Sequence, residues 1–289
     1  MSKEAGKTAS GPTALIAIEQ FYPREQRVID DDIAYRVLSP GFRAFVQITR
    51  PSWVRRLLIH RSESGDFPGM WSGLLCRKRY IDDSLAEAAG LVDAVVNLGA
   101  GMDTRAYRHD FPGDTPVWEV DQPEVIQQKK AGLRRVFKTL PSHITLVPID
   151  FDYENLSEVL KTHGYSVQDR TFFILEGVTQ YVTEKGLRAT FDFLATAASG
   201  SRLVFTYICK DFIDGRDKRG WPRAYKKYVK GGLWLLGLEP EELKEFLGGY
   251  GWQLAEDRDY YELADRYISP TRRMLSATTV ERIALAHKL

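Results

Sequence analysis

The sequence predicts an α/β fold, a doubly wound and mostly parallel Rossmann-like sheet of about seven strands preceded by a helical cap. Three observations predict it. Short apolar runs alternate with helix-period segments from about residue 92 onward. The first run ends in a glycine pair, Gly99 and Gly101, within VVNLGAGMDTRAYR (95–108). Acidic residues stand at the ends of the next three runs, at Asp121, Asp150 and Glu176. A chain of 289 residues is long enough for one large domain with an appendage.

Residues 1 to about 12 read as a polar tail, and from there to about 90 the patterns are helical. Together they form a cap (1–90) on a core of residues 91–289, one integrated domain. Within the cap, RPSWVRRLLIHR (50–61) places Trp53, Leu57 and Leu58 in an apolar stripe beside Arg50, Arg55, Arg56 and Arg61. A cap helix with a solvated basic face is expected there, and a helix lying on a membrane surface is the alternative.

The core reads strand by strand. VDAVVNLG is a buried strand leading into the glycines, and TPVWEVD (115–121) is the second. Pro123 suits the first position of a helix running to about Leu140. ITLVPID is the third strand, followed by the helix NLSEVLKTHG, which Gly164 can end. TFFILEG, from 171, is the fourth; Leu187, Phe191, Leu194, Ala195 and Ala198 then repeat at helical spacing. RLVFTYI, from 202, is the fifth. A basic-aromatic insertion at about 210–238 and the helix EPEELKEFLGG precede strand candidates around 252–258 and 277–287. Short connections between alternating strands and helices favour parallel pairing.

Forty Lys and Arg against 39 Asp and Glu give a formal charge of +1, which argues against a nucleic-acid partner. No apolar run approaches the roughly 18 residues of a membrane span. MSKEAGKTASGPT lacks the apolar centre of a signal peptide, and Cys76 and Cys209 form no C-x-x-C pair. Reduced thiols in a cytoplasmic protein are expected. No Cys/His cluster suggests a metal.

Ligands of such sheets bind beyond the carboxyl ends of the strands, where Gly99 and Gly101 permit a tight turn and close approach. Asp121, 20 residues after Gly101, can accept from both hydroxyls of a ribose. Thr104 replaces the third glycine of a dinucleotide fingerprint, which counts against an NAD-dependent oxidoreductase, the rival enzyme class. Asp150 can accept from an adenine amine, Phe151 can cover the base, and Glu176 suits an ammonium while being unwelcome beside phosphates. Three acids at strand ends therefore point to S-adenosyl-L-methionine, which carries an adenosine, an amine and a sulfonium and no phosphate.

The stretches CRKRYIDD (76–83), VVNLGAGMDTRAYR, WEVDQPEVIQQKK (118–130), VPIDF (147–151) and FILEGVTQYV (173–182) resemble the leucine carboxyl methyltransferase family, as do GLEPEELKEFLGGYGW and DRYISP. The resemblance spans roughly residues 20–285 and is strongest to a bacterial branch of tetracenomycin-type polyketide O-methyltransferases. It implies that Arg77 holds the methionine carboxylate of the cofactor, Arg79 being the other candidate. It further implies that Gly99 lines the methionine portion and that Tyr181 lies near methyl transfer as the catalytic residue. A protein C-terminal carboxyl acceptor is the family alternative, but no stretch is specifically suited to one, which favours a small metabolite.

A carboxylate acceptor is ionised at neutral pH and needs no general base, whereas a phenol benefits from one. No histidine stands in an obvious motif; His109, nearest the turn, reads as a helix-surface residue. In KRGWPRAYKKYVK (218–230), Arg219, Trp221 and Arg223 are candidate contacts to an acidic aromatic acceptor beneath a lid.

Overall fold

The computed structural model describes residues 10–65, 67–108, 114–151 and 153–289. The elements before the sheet are α1 (Ser10–Glu19), α2 (Ala34–Val37), α3 (Pro40–Ile48), α4 (Ser52–Glu63) and α5 (Met70–Ala88). Then follow β1 (Ala94–Leu98), α6 (Arg105–Arg108), β2 (Val117–Asp121), α7 (Pro123–Leu133), β3 (Ile144–Pro148), α8 (Leu156–Thr162), β4 (Thr171–Leu175), α9 (Glu184–Ala195) and β5 (Arg202–Ile208). The chain continues through α10 (Lys210–Asp214), α11 (Pro222–Ala224, prolonged by a π-helical turn at Tyr225–Val229), α12 (Leu243–Gly248), β6 (Trp252–Asp259), α13 (Tyr260–Tyr267) and β7 (Glu281–Lys288).

The strands form one seven-stranded sheet in the order β3-β2-β1-β4-β5-β7-β6. β1 to β5 pair in parallel, while β7 runs antiparallel to both β5 and β6. The sheet is therefore mixed. β7 runs back from where β6 ends and so needs no crossover to the start of the sheet.

Alternation along each strand builds two cores. Val95, Phe172 and Ile174 pack with Leu75, Ile81 and Leu263 from α5 and α13, and with Ile16 from α1. Val96, Leu98, Phe173 and Leu175 face the other way, toward Leu160, Leu187, Phe191 and Leu243 of α8, α9 and α12. Burial on both faces is why these strands read as unbroken apolar runs. The strand order reverses between β1 and β4, which opens a crevice beyond their carboxyl ends.

Three local expectations need correction. Residues 1–9 and His109 lie outside the described residues, and Ser10–Pro12 already belong to α1. α7 stops at Leu133, short of Leu140. Arg135 there donates to the carbonyls of Val37 and Leu38, at 2.8 and 3.0 Å, and Phe137 stacks on Tyr107, so the chain turns back onto α2 and α6. α4 is rotated from the expected face. It buries Arg55 and Ile59 and leaves Trp53 and Leu57 exposed. The Arg55 guanidinium donates to Arg50 O at 3.0 Å and lies 4.4 Å over the Tyr22 ring.

Beneath β2, Lys129 Nζ donates to Glu119 Oε1 at 2.6 Å and Tyr107 Oη to Oε2 at 2.7 Å. Burial pushes the Glu119 carboxyl up, and the ammonium and phenol oppose it. Lys129→Ala should cost about 3–5 kcal/mol in urea unfolding, because it strands a buried carboxylate. Adding Glu119→Gln should recover part of that loss; no recovery would locate the cost in packing.

Candidate active site

The first wall is the turn after β1. Gly99 and Gly101 have φ of +74° and +49°, in the left-handed region that L side chains rarely adopt. A Cβ on Gly99 would also collide with the Val178 side chain, so glycine is required twice over. The turn is tied to β2 by the N–H groups of Gly99 and Ala100, which donate to Val120 O at 2.8 and 3.0 Å. Gly101 N–H donates to Asp121 Oδ2 at 2.6 Å, and Gln122 N–H to Oδ1 at 2.7 Å. Burial pushes the Asp121 carboxyl up, against the pull of those two amides.

The second wall is a buried ionic cluster centred on Glu176, just past β4. Its carboxylate accepts from Arg77 Nε, Lys78 Nζ and Arg105 Nη1, each at 2.9 Å. Arg77 also reaches both oxygens of Glu281 on β7 at 3.0 Å. A Cβ on Gly177 would lie 3.3 Å from Arg77 Nη2, so the glycine leaves room for the guanidinium. Arg105 is further paired with Asp103 and with Asp82, the latter at 2.6 Å. Arg108 joins Asp82 to Asp31, which also accepts from the Thr104 hydroxyl. Thr104, in the place of a third glycine, thus holds the turn to the loop before α2.

Burial alone would raise the Glu176 pKa. Lys78, Arg105 and Arg77 overrule it and hold the carboxyl at about 2. Asp103 is likewise held well below its usual range: burial opposes, and Arg105, Lys78 and Lys129 prevail. The cluster contains five acids (Asp31, Asp82, Asp103, Glu176, Glu281) and four bases (Arg77, Lys78, Arg105, Arg108), one more acid than base. Asp121 adds another. Such a wall suits a cationic ligand better than a phosphate.

These walls enclose a cavity of about 500 Å³ with a polar end and an aromatic end. Arg77, Gly99, Gly101, Asp121 and Glu176 line the former. Phe42, Phe45, Phe67, Trp221, Tyr228 and Trp234 supply the latter, with Tyr181 also in the wall. Trp221 is fixed by Nε1 donating to Pro68 O at 2.8 Å and by an edge contact with Phe67 at 5.7 Å.

Seven of the residues singled out from the sequence thus meet at one cavity: Arg77, Gly99, Gly101, Asp121, Glu176, Tyr181 and Trp221. Four do not line it. Phe151 belongs to a second cavity of about 640 Å³, which shares Tyr181, and Asp150 precedes it on the same loop. Arg219 is turned toward Asp211, with Nη2 at 2.6 Å from Oδ2 and Nη1 donating to Thr279 O at 3.0 Å. Arg223 is exposed. Between the two candidate arginines, Arg77 is in the wall, while Arg79 points out to Asp83 at 2.7 Å. Sequence reading missed Lys78, Asp103 and Glu281; only the DTR following the glycine turn hinted at an ionic role there.

The sequence pattern described as leucine carboxyl methyltransferase matches residues 9–195. A Mycolicibacterium smegmatis relative, provisionally named an S-adenosyl-L-methionine-dependent methyltransferase, is 31% identical over 264 residues. The match covers 88% of this chain and 84% of the relative. A solved DUF574 family protein from Streptomyces avermitilis superposes with a TM-score of 0.61 at 13% identity, covering 95% of this chain and 97% of that one. A Thermobifida fusca protein, provisionally described as a methyltransferase, superposes at 0.55 and 16% identity, covering 82% and 88%. The two structures share the fold.

A carboxyl with a depressed pKa stabilises the fold above its unfolded value, and that contribution is lost as pH falls. For Glu176 the window runs from about 4.5 down to about 2, and the contribution is roughly 3 kcal/mol at most. Urea midpoints of the wild type should therefore fall more steeply across this window than those of Glu176→Gln. Parallel pH profiles would mean that Glu176 is not held ionised.

Proposed function

The chain belongs to the leucine carboxyl methyltransferase family, and on that premise we propose that it methylates an oxygen of a small, acidic, polyketide-like metabolite. The cofactor is S-adenosyl-L-methionine. The acid-rich polar end of the cavity fits it: Asp121 is a carboxylate for the ribose diol, and Glu176 an anion for the ammonium side. Arg77 offers a guanidinium for the methionine carboxylate, and Gly99 the close approach. Assigning Asp150 and Phe151 to the adenine requires the cofactor to span both cavities past Tyr181. When bound, the cofactor supplies an activated methyl group on its sulfonium. An excess of carboxylates is a poor host for a pyrophosphate, which counts against the NAD-dependent reading.

The observation that favours a carboxyl acceptor is that the cavity wall offers no histidine, among the described residues, to take a phenol's proton. Glu176, at about 2, is too weak a base to deprotonate a phenol. A carboxylate needs no deprotonation. The protein's task is then to align the acceptor and exclude water, for which effective molarities of about 10⁵–10⁸ M are attainable. Tyr181, at the junction of the two cavities, is assigned to positioning near the transferred methyl. Residues 210–238 act as the lid over the aromatic end. With Arg219 tied to Asp211, the lid meets the acceptor through the ring of Trp221, leaving Arg223 a long-range attraction at most.

Transfer of labelled methyl groups to a panel of aromatic carboxylic acids and phenols tests the acceptor class. The product should be a methyl ester that releases methanol in alkali; an alkali-stable ether would exclude the carboxyl reading.

Asp121→Asn should lower calorimetric affinity for S-adenosylhomocysteine about tenfold or more, since charge-assisted hydrogen bonds contribute about 1.5–3 kcal/mol. Wild-type affinity in the folded variant would remove Asp121 from the cofactor site.

A further inference from the structure

We propose that the outer face of α3 and α4 is a docking surface for a lipid bilayer with anionic headgroups. Across α3 and α4, residues 40–63, stand five arginines (Arg43, Arg50, Arg55, Arg56, Arg61), of which Arg55 is buried, and one acid, Glu63, although the whole protein carries a formal charge of only +1. Arg43, Arg50, Arg56 and Arg61 are exposed or half-exposed, so positive charge is concentrated on these two helices and the turn between them.

The same two helices show apolar side chains to solvent. Ile48 and Trp53 are about two-thirds exposed (65% and 66%), with Leu57 at 53% and Phe45 at 41%. Trp53, Arg56, Leu57, His60 and Arg61 follow helical spacing and are all exposed, so rings, aliphatics and cations share one face of α4. The face is held outward. Arg55, on the opposite side, donates to backbone carbonyls at the end of α3 and stacks on Tyr22, which prevents the helix from rolling its apolar stripe inward.

Large exposed apolar groups interspersed with Arg are what a helix in the plane of a bilayer presents: the rings enter the headgroup boundary and the guanidiniums meet phosphates. A second copy of this chain fits worse, because a two-fold contact through this face would set the arginine clusters against each other. The patch is also continuous with the cavity, since Phe42 and Phe45 of α3 line its aromatic end. An amphiphilic acceptor can therefore pass from the bilayer to the cavity along α3. That last step rests on the methyltransferase reading; the docking itself does not.

Co-sedimentation with phosphatidylcholine vesicles, with and without phosphatidylglycerol, tests the docking independently of catalysis. The wild type should partition onto the anionic vesicles, less so at high salt, and barely onto phosphatidylcholine alone. Arg56→Gln/Arg61→Gln should weaken partitioning roughly thirtyfold, and Trp53→Ser/Leu57→Ser should weaken it at every salt concentration. Both variants should keep wild-type affinity for S-adenosylhomocysteine, which shows that they are folded. The proposal is overturned if the wild type ignores anionic vesicles or if both variants bind like the wild type. It is equally overturned if ultracentrifugation shows a dimer that Trp53→Ser/Leu57→Ser dissolves, which would make the face a contact between copies.

Discussion

A carboxylate that stays ionised inside a protein costs several kcal/mol in lost hydration unless cations surround it. Glu176 is such a group, and the site is arranged around meeting that cost. Two of its cations come from α5, one from the segment after the glycine turn, and Arg77 passes the linkage on to Glu281 of β7. One side chain therefore fixes the relative positions of a helix, a turn and two strands. The polar end of the cavity is rigid for the same reason that it is charged.

This arrangement divides the labour in the cavity. Ion pairs consume most of the polar groups, so the chemistry left to the protein is placement: a fixed acidic wall on one side, and rings brought in by α3 and the 210–238 segment on the other. Trp221, Tyr228 and Trp234 belong to a small cluster with Phe212 and Ile208, apart from the two main cores.

What the residues disclose on their own is local. Gly99, Gly101 and Asp121 were legible because a turn conformation and a strand end follow from neighbouring residues. β1, β4 and β5 were legible because burial on both faces leaves a nearly unbroken apolar run, whereas β3, half-buried at the sheet edge, was legible as a short apolar segment ahead of a helix. The partners of Glu176 were not, since they lie 71 to 99 positions away and resemble surface charges. RKR at 77–79 illustrates the limit. Three consecutive helical residues span about 200° and cannot share one face; Arg77 and Lys78 turn inward and Arg79 outward, a choice made by the sheet beneath. Arg219 was misplaced for a similar reason, because Asp211, eight positions back, claims it. The position of β7 within the sheet is a matter of topology that no single segment encodes.

That position has a consequence for how the molecule is made. β6 precedes β7 in the chain but has no place in the sheet until β7 lies between it and β5. During synthesis β1 to β5 can assemble in order, leaving β5 with an open hydrogen-bonding edge and β6 without a partner. Exposed edges of this kind invite pairing with other chains. The same late strand carries Glu281, so closure of the edge and completion of the ionic wall are a single event. A nascent chain halted before β7 is thus both sticky and without a finished site, and speed in releasing the last segment protects the cell from the one as much as it supplies the other.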